Sequence, residues 1–451
     1  MPELDRALHQ DRTALTEATA DWQDVASTWL SIANGAPPFD LPDDADQVGV
    51  IQSGDRTIFN TGAGDDTITI EVDKETGDQI VTINGQVYRV PAGEHVVIRA
   101  GEGNDEIRVP DGWDIDFTAL GGEGDDAVHG GAGDETVLGL DGRDRIGTGE
   151  GDDYGSGGAD RDYLDGGEGD DTLSGGTGDD TAYGLDGDDA VTGGDGADYL
   201  EGGAGDDTVA GGDGADVLSG GADDDAIHGG GGDDVSYAGT GDDATHAGSG
   251  SDTSHSEAGD SDTGAEHRVT VEIKGVPDYI EIEGSPEFVA RVRADLEMLA
   301  SSPRGQMMLE NLLDNYENSG ILGIGRDGLT IREEHTDGNS AYEGAGGSGN
   351  VNYNPSRDYS VDDRPPVVGL YHELSHVYDY VNETKRDGEY DGDDTTDHGI
   401  DVDERQGTGL PIDHDDDPDT PEVIDPEHPV EYTENGLREE LGLDDREHYV
   451  G

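Results

Sequence analysis

The 451-residue chain contains no cysteine, which excludes disulfides, thiolate metal sites and cysteine nucleophiles. Lysine occurs only as Lys74, Lys274 and Lys385, and Lys plus Arg number 24 against 109 Asp plus Glu, a formal net charge of -85. With no basic patch to neutralise phosphates, the composition argues against a nucleic-acid partner. No apolar run approaches the ~20 residues that a membrane span needs. The first thirty residues carry Asp5, Asp11, Glu17 and Asp21 and lack an apolar stretch of the signal-peptide kind, so export is expected to use another route. Hydrophobic residues make up only 31% of the chain, a composition that on averages alone suggests disorder.

Acid and glycine are in excess instead. Such a charge repels itself at low ionic strength unless cations bind, which fits either built-in divalent-cation sites or adaptation to high salt. The 75 glycines are periodic, and the period overrules the averages. From Gly121-Gly122-Glu123-Gly124-Asp125-Asp126-Ala127-Val128-His129 a nine-residue register runs without insertion to His255, fifteen units in all. Degenerate single copies stand earlier, at 61–69 and 100–108. A short fixed period means a solenoid in which each turn packs on its neighbours.

Each unit follows G-G-x-G-x-D-x-U-x, with U a large apolar residue. Two units are expected to make one turn of a parallel β-roll. Val128, Val137, Ile146, Leu164, Leu173, Val191, Leu200, Val209, Leu218 and Ile227 would point inward, with gaps at Gly155 and Ala182. The sixth-position carboxylates Asp126, Asp144, Asp153, Asp162, Asp171, Asp180, Asp189, Asp198, Asp207, Asp216, Asp225, Asp234 and Asp243 would stack along the turns, with Glu135 replacing aspartate in the second unit. Together with backbone carbonyls they offer hard oxygen ligands to Ca²⁺. Without cations the stack repels and the segment should be disordered; with calcium it should fold. After Ile227 the eighth position becomes Ser236, Thr245 and Ser254, so the last turns are expected to fray or to cap the stack. The pattern resembles the repeats of secreted bacterial RTX proteins, and the resemblance implies sites that stay empty in cytosol and fill outside the cell.

Outside the repeat the pattern changes. Leu8, Leu15, Trp22, Val25 and Trp29 recur at helical spacing over 1–35, and Pro37, Pro38 and Pro42 form a linker. The segments 67–72, 79–83 and 86–90 alternate like strands, with Asn84-Gly85 as a hairpin turn. In 268–330, strands are expected at 269–273 and 279–282. Ser285 then caps a helix with Pro286 in its first turn, and Ser302-Pro303 starts another.

Residues 367–381 read as a helix, with Pro365-Pro366 at its start. His372 and His376 are four apart on one face, able to place two imidazoles on one zinc ion. Glu373 stands beside them as the general base of an H-E-x-x-H site. Asp379 and Asn382 stand where a metzincin needs Gly and His, so that class is excluded, and a third acidic ligand must come from downstream. The H-E-L-x-H-x-x-D-Y segment, 403–411 and 433–443, with its terminal L-R-x-E-L-G, resemble the M91 peptidases, a family that includes effector proteases injected into host cells. The resemblance covers about 275–450 and implies Glu404 as the third ligand, with Asp401 or Asp403 as alternatives. Arg446-x-x-Tyr449 is similar to an element of clostridial neurotoxin light chains whose Arg and Tyr face the oxyanion. Gly349–Pro355 is expected to be either an edge strand along which an extended peptide could lie or a plain structural strand.

The expected architecture is multidomain: an N-terminal helical segment and linker (1–46), a β-rich region (47–120), a calcium-binding parallel β-roll solenoid (121–264) and an α+β zincin-like metallopeptidase domain (265–451). The expected function is that of a secreted or delivered zinc endopeptidase, a monomer acting on a protein or peptide, with Zn²⁺ and several Ca²⁺ as cofactors. The alternatives are a non-enzymatic calcium-binding surface or adhesion protein with an inactive peptidase-like module, or a contact-dependent toxin.

Overall fold

A computed structural model describes residues 48–110, 112–277, 279–318, 329–333, 340–343, 349–353, 365–382, 408 and 432–443. The helix expected over 1–35 lies outside them. The chain divides into two compact units, 1–254 with 260–267 and 255–259 with 268–451.

In the first unit short strands alternate between two sheets, of 12 and 13 strands. Val137 lies opposite Gly155 and Gly155 opposite Leu173 in one sheet, and Ile146 lies opposite Leu164 in the other. Partners are 18 residues apart, so two nonapeptides make one turn of a parallel β-roll. Side chains alternate across a strand, and the eighth-position residues from Val128 to Ile227 form one continuous core. Gly155 thins that core without opening it: a Cβ there would already stand 3.0 Å from Leu173 Cδ2. The strands Arg56–Ala63, His95–Glu102 and Phe117–Glu123 pair parallel in the first sheet, and Thr67–Val72 pairs parallel with Glu106–Arg108 in the second. The roll thus starts well before the regular register. Gln79–Ile83 and Gln86–Val90 pair antiparallel through Asn84 and Gly85, at φ 50° and 80°, the two positive values that a type I′ turn requires.

The last turns do not fray. Val235–Thr240, Ala244–Ser249 and Thr253–Ser256 remain strands, and Ser236, Thr245 and Ser254 are buried inside them. Ladder pairing such as Ala226 with Ala244 carries these turns past the end of the spine, with Tyr237 and Ala238 still fully buried.

The second unit carries a four-stranded sheet in the order Ile280–Glu283, Leu329–Glu333, Gly349–Tyr353, Ser340–Glu343. Its helices include Pro286–Ser301, Pro303–Asn318, Pro366–Asn382 and Glu434–Glu440. Ser285 Oγ accepts from Phe288 N–H at 3.2 Å and Ser302 Oγ from Gly305 N–H at 2.9 Å, the N-caps expected from the sequence. Gly349–Tyr353 is not an edge strand: it runs parallel to Leu329–Glu333 on one side and antiparallel to Ser340–Glu343 on the other. Val351 and Tyr353 are fully buried, as suits an inner strand, and its backbone groups already have partners. The Pro366–Asn382 helix is buried all round, with Val367, Val368, Leu370, Tyr371, Leu374 and Val377 each at most 2% exposed. A helix buried on every side belongs at the centre of its domain.

Leu200 is fully buried in the spine, so Leu200→Ala should lower stability by about 2–5 kcal/mol in denaturant unfolding at saturating calcium. A loss under about 1 kcal/mol would show that the spine is not a close-packed core.

Candidate active site and carboxylate ladder

The Pro366–Asn382 helix places His372 and His376 one turn apart, with ring centroids 4.8 Å apart and planes at 89°. Their Nε2 atoms lie 3.2 Å from each other. Two imidazoles on a tetrahedral zinc, each at about 2.0–2.1 Å, have nitrogens ~3.3 Å apart. The pair is therefore already spaced for one ion, and both rings are buried, as is Glu373.

A residue that the sequence motifs do not single out completes this arrangement. Glu434, fully buried, brings Oε2 to 3.0 Å from His372 Nδ1 and Oε1 to 3.8 Å from Arg438 Nη1. A carboxylate at Nδ1 favours the tautomer that carries its proton there, leaving the Nε2 lone pair for a metal. Glu434 opens its own short helix, where Thr433 Oγ1 accepts from Gly436 N–H at 3.2 Å. Further contacts fix that helix against its neighbours. Arg304 N–H donates to Glu440 Oε2 at 3.0 Å and the Arg304 guanidinium to Glu439 Oε2 at 2.7 Å, while Tyr371 OH donates to Arg304 O at 3.2 Å. Tyr378 and Tyr432 stack at 4.4 Å. Only spatial proximity reveals Glu434, because it lies far along the chain from His372 and outside the H-E-x-x-H motif. In the sequence it stands in the 433–443 segment that resembles the M91 peptidases, at a helix start behind a capping threonine, but neither signal ties it to His372.

Glu404, its alternatives Asp401 and Asp403, and Arg446 and Tyr449 lie outside the described residues. Among the described residues no point gathers three or more His, Asp or Glu side chains as a metal group.

In the roll the sixth-position carboxylates form two rows. Asp126, Asp144, Asp162, Asp180, Asp198, Asp216 and Asp234 stack along one side, Asp153, Asp171, Asp189, Asp207, Asp225 and Asp243 along the other, the second row starting at Glu135. Each backbone N–H donates to Oδ1 of the carboxylate one turn on, for example Asp144 to Asp162 at 2.7 Å and Asp171 to Asp189 at 2.7 Å. The second oxygen, Oδ2, makes no hydrogen bond among the described residues at Asp126, Asp144, Asp153, Asp162, Asp171, Asp180, Asp189, Asp198, Asp207, Asp216, Asp225 and Asp234, all of them buried. It packs under the first glycine of its unit: a Cβ on Gly166 would meet Asp171 Oδ2 at 2.4 Å.

Buried anionic oxygens without donors are costly, and the donor set fits calcium, which takes oxygen ligands only. Each turn offers one such carboxylate per side, so backbone carbonyls must supply the other ligands. Burial, with neighbouring aspartates next, pushes these groups up: Asp126 and Asp234 to about 6, Asp144 and Asp180 to about 7, Asp171 and Asp207 to about 9, Asp162 to about 10. Glu135 rises to about 9.

These raised values give the pH effect a definite sign. Well below the ordinary value of 3.8, both folded and unfolded chains are protonated and these groups contribute nothing. Above it the unfolded carboxylates ionise first, so the cation-free fold binds more protons and its stability falls as pH rises toward about 10. Calcium competes with those same protons. Titrations followed by circular dichroism should therefore reach their midpoint at lower calcium at pH 8 than at pH 6, with protons released on binding; a midpoint independent of pH would contradict the ladder.

Comparison with known families agrees with this division. Residues 276–449 match the profile of the M91 peptidases, described as effector proteins. Matches to the RTX calcium-binding nonapeptide repeat lie at 118–146, 147–182, 174–209, 183–218, 210–244 and 228–261. No curated protein matches the chain. Among the described residues no helix is long and apolar enough to cross a membrane. The chain thus joins RTX calcium-binding nonapeptide repeats to a region similar to the M91 peptidase effector proteins.

Proposed function

We propose that the chain is a secreted or delivered zinc endopeptidase with a calcium-stabilised roll as scaffold. The observation that carries this reading is the 3.2 Å approach of His372 and His376 Nε2 on a buried helix. His372 and His376, with Glu404 on the M91 resemblance, would hold the zinc. Zinc bound there supplies Lewis acidity toward water and the scissile carbonyl. Glu373 takes the proton from the attacking water and returns it to the leaving amine as the C–N bond breaks. Arg446 and Tyr449 donate hydrogen bonds to the charge developing on the carbonyl oxygen. Glu434 is a positioning residue that orients His372 through Nδ1.

The roll ties folding to compartment. RTX-type extracellular sites bind calcium at roughly 10⁻⁴–10⁻³ M, so the scaffold would form outside the cytosol, where the protein substrate is met.

Glu373→Gln should retain zinc and lose cleavage of a peptide library by about 10²-fold or more, while Glu404→Ala should lose the metal. Glu434→Gln should weaken zinc by about 10–100-fold in chelator competition. Unchanged cleavage by Glu373→Gln would remove the assigned base. Stoichiometric zinc without cleavage by the wild type at saturating calcium would favour the non-enzymatic surface protein.

A further inference from the structure

The repeat matches begin at residue 118, yet the carboxylate row does not. Asp105 N–H donates to Asp126 Oδ1 at 2.8 Å, and Asp66 N–H donates to Asp105 Oδ1 at 2.7 Å. These contacts match those inside the repeats, although the residues are 21 and 39 apart in sequence instead of 18. The extra chain is looped out, the longer excess largely into the Gln79–Ile83 and Gln86–Val90 hairpin. Asp66 and Asp105 are 4% and 2% exposed, and Oδ2 of each makes no hydrogen bond among the described residues.

The backbone around them is that of a repeat turn. Gly62 and Gly64 have φ of 105° and 110°, Gly101 and Gly103 of 111° and 131°, beside 133° and 126° for Gly122 and Gly124. The carbonyls also face the same way. A Cβ on Gly101 would lie 2.1 Å from Gly62 O, as one on Gly122 would lie 1.9 Å from Gly101 O and one on Gly167 1.8 Å from Gly149 O. Thr61 and Ala100 replace the first glycine of the unit, as Thr148 and Ala238 do for Asp153 and Asp243 within the repeats. The outer row continues too, with Asn104 N–H on Asp65 Oδ1 at 3.0 Å and Asp125 N–H on Asn104 Oδ1 at 3.2 Å.

We infer that the divalent-cation array extends two turns before the matched repeats, with Asp105 and Asp66 each giving a carboxylate oxygen to a calcium ion. The inference rests on calcium filling the repeats themselves. Its consequence is that the segment before 118, which the repeat matches do not cover, folds with calcium as part of one array.

Asp105→Asn keeps the oxygen that accepts from Asp66 N–H and removes the charge. Calcium per chain, counted by elemental analysis after equilibrium dialysis of the full-length protein, should fall by at least one ion in Asp105→Asn, and in Asp66→Asn. Asp66 ends its row, so the second variant cannot unravel the repeats if the first fails to fold. Asp171→Asn, inside the repeats, is the control. An unchanged count in both variants, with Asp171→Asn lowered, overturns the extension alone. No calcium on the wild type would overturn it together with the calcium reading of the repeats.

Discussion

Like charges placed one above another inside a protein have to be neutralised, and that requirement governs the first unit. From Asp126 to Asp234 each turn buries a carboxylate with one oxygen satisfied by a backbone N–H and the other making no hydrogen bond among the described residues. The apolar spine supplies hydrophobic stabilisation, but it thins at Gly155 and Ala182 and ends at Ile227, while the strands continue. What persists through every turn is the carboxylate. Protons and divalent cations are the two agents that can quiet it, and burial makes them direct competitors. A chain of net charge -85 therefore has a fold that reports on its ionic surroundings.

The second unit meets the opposite demand, a small polar cluster held still inside an apolar helix. His372, Glu373 and His376 are buried because the whole turn around them is buried. Precision comes from outside the helix: Glu434 at His372 Nδ1, Arg438 behind Glu434, and Arg304 tying the short helix to its neighbour. Side chains oriented by a second layer of contacts are held in one rotamer before any ligand arrives.

Much of this is legible in the sequence because the patterns are local. The nonapeptide period implies the roll and its two rows of aspartates, and Ser285 and Ser302 announce helix starts three residues ahead of the groups they cap. The histidine pair is visible because four residues make about one helical turn. The rest depends on contacts that local pattern does not encode. Glu434 meets His372 only through the packing of two helices distant in sequence. Gly349–Tyr353 reads as a strand, but its inner place follows from where Leu329–Glu333 and Ser340–Glu343 dock. The late turns look unsupported in the sequence because the hydrophobic pattern omits the hydrogen bond from Asp234 N–H to Asp252 Oδ1 along the row. Asp66 and Asp105 sit in single degenerate copies whose irregular spacing hides a regular stack.

The rows have a direction, since every N–H points toward the next carboxylate, and a directional stack leaves unlike ends. At the start no turn precedes Asp66 among the described residues, and the Asn84 side-chain amide donates to its Oδ1 instead. At the finish one shortened turn follows: Glu266 Oε2 accepts from Asp252 N–H at 3.0 Å and His267 N–H donates to Asp252 O at 3.0 Å. A hairpin turn thus meets one end of this row and a contracted repeat the other. Bare ends of a ladder would recruit the complementary ends of other molecules; in this row both end positions are already taken by side chains of the same chain.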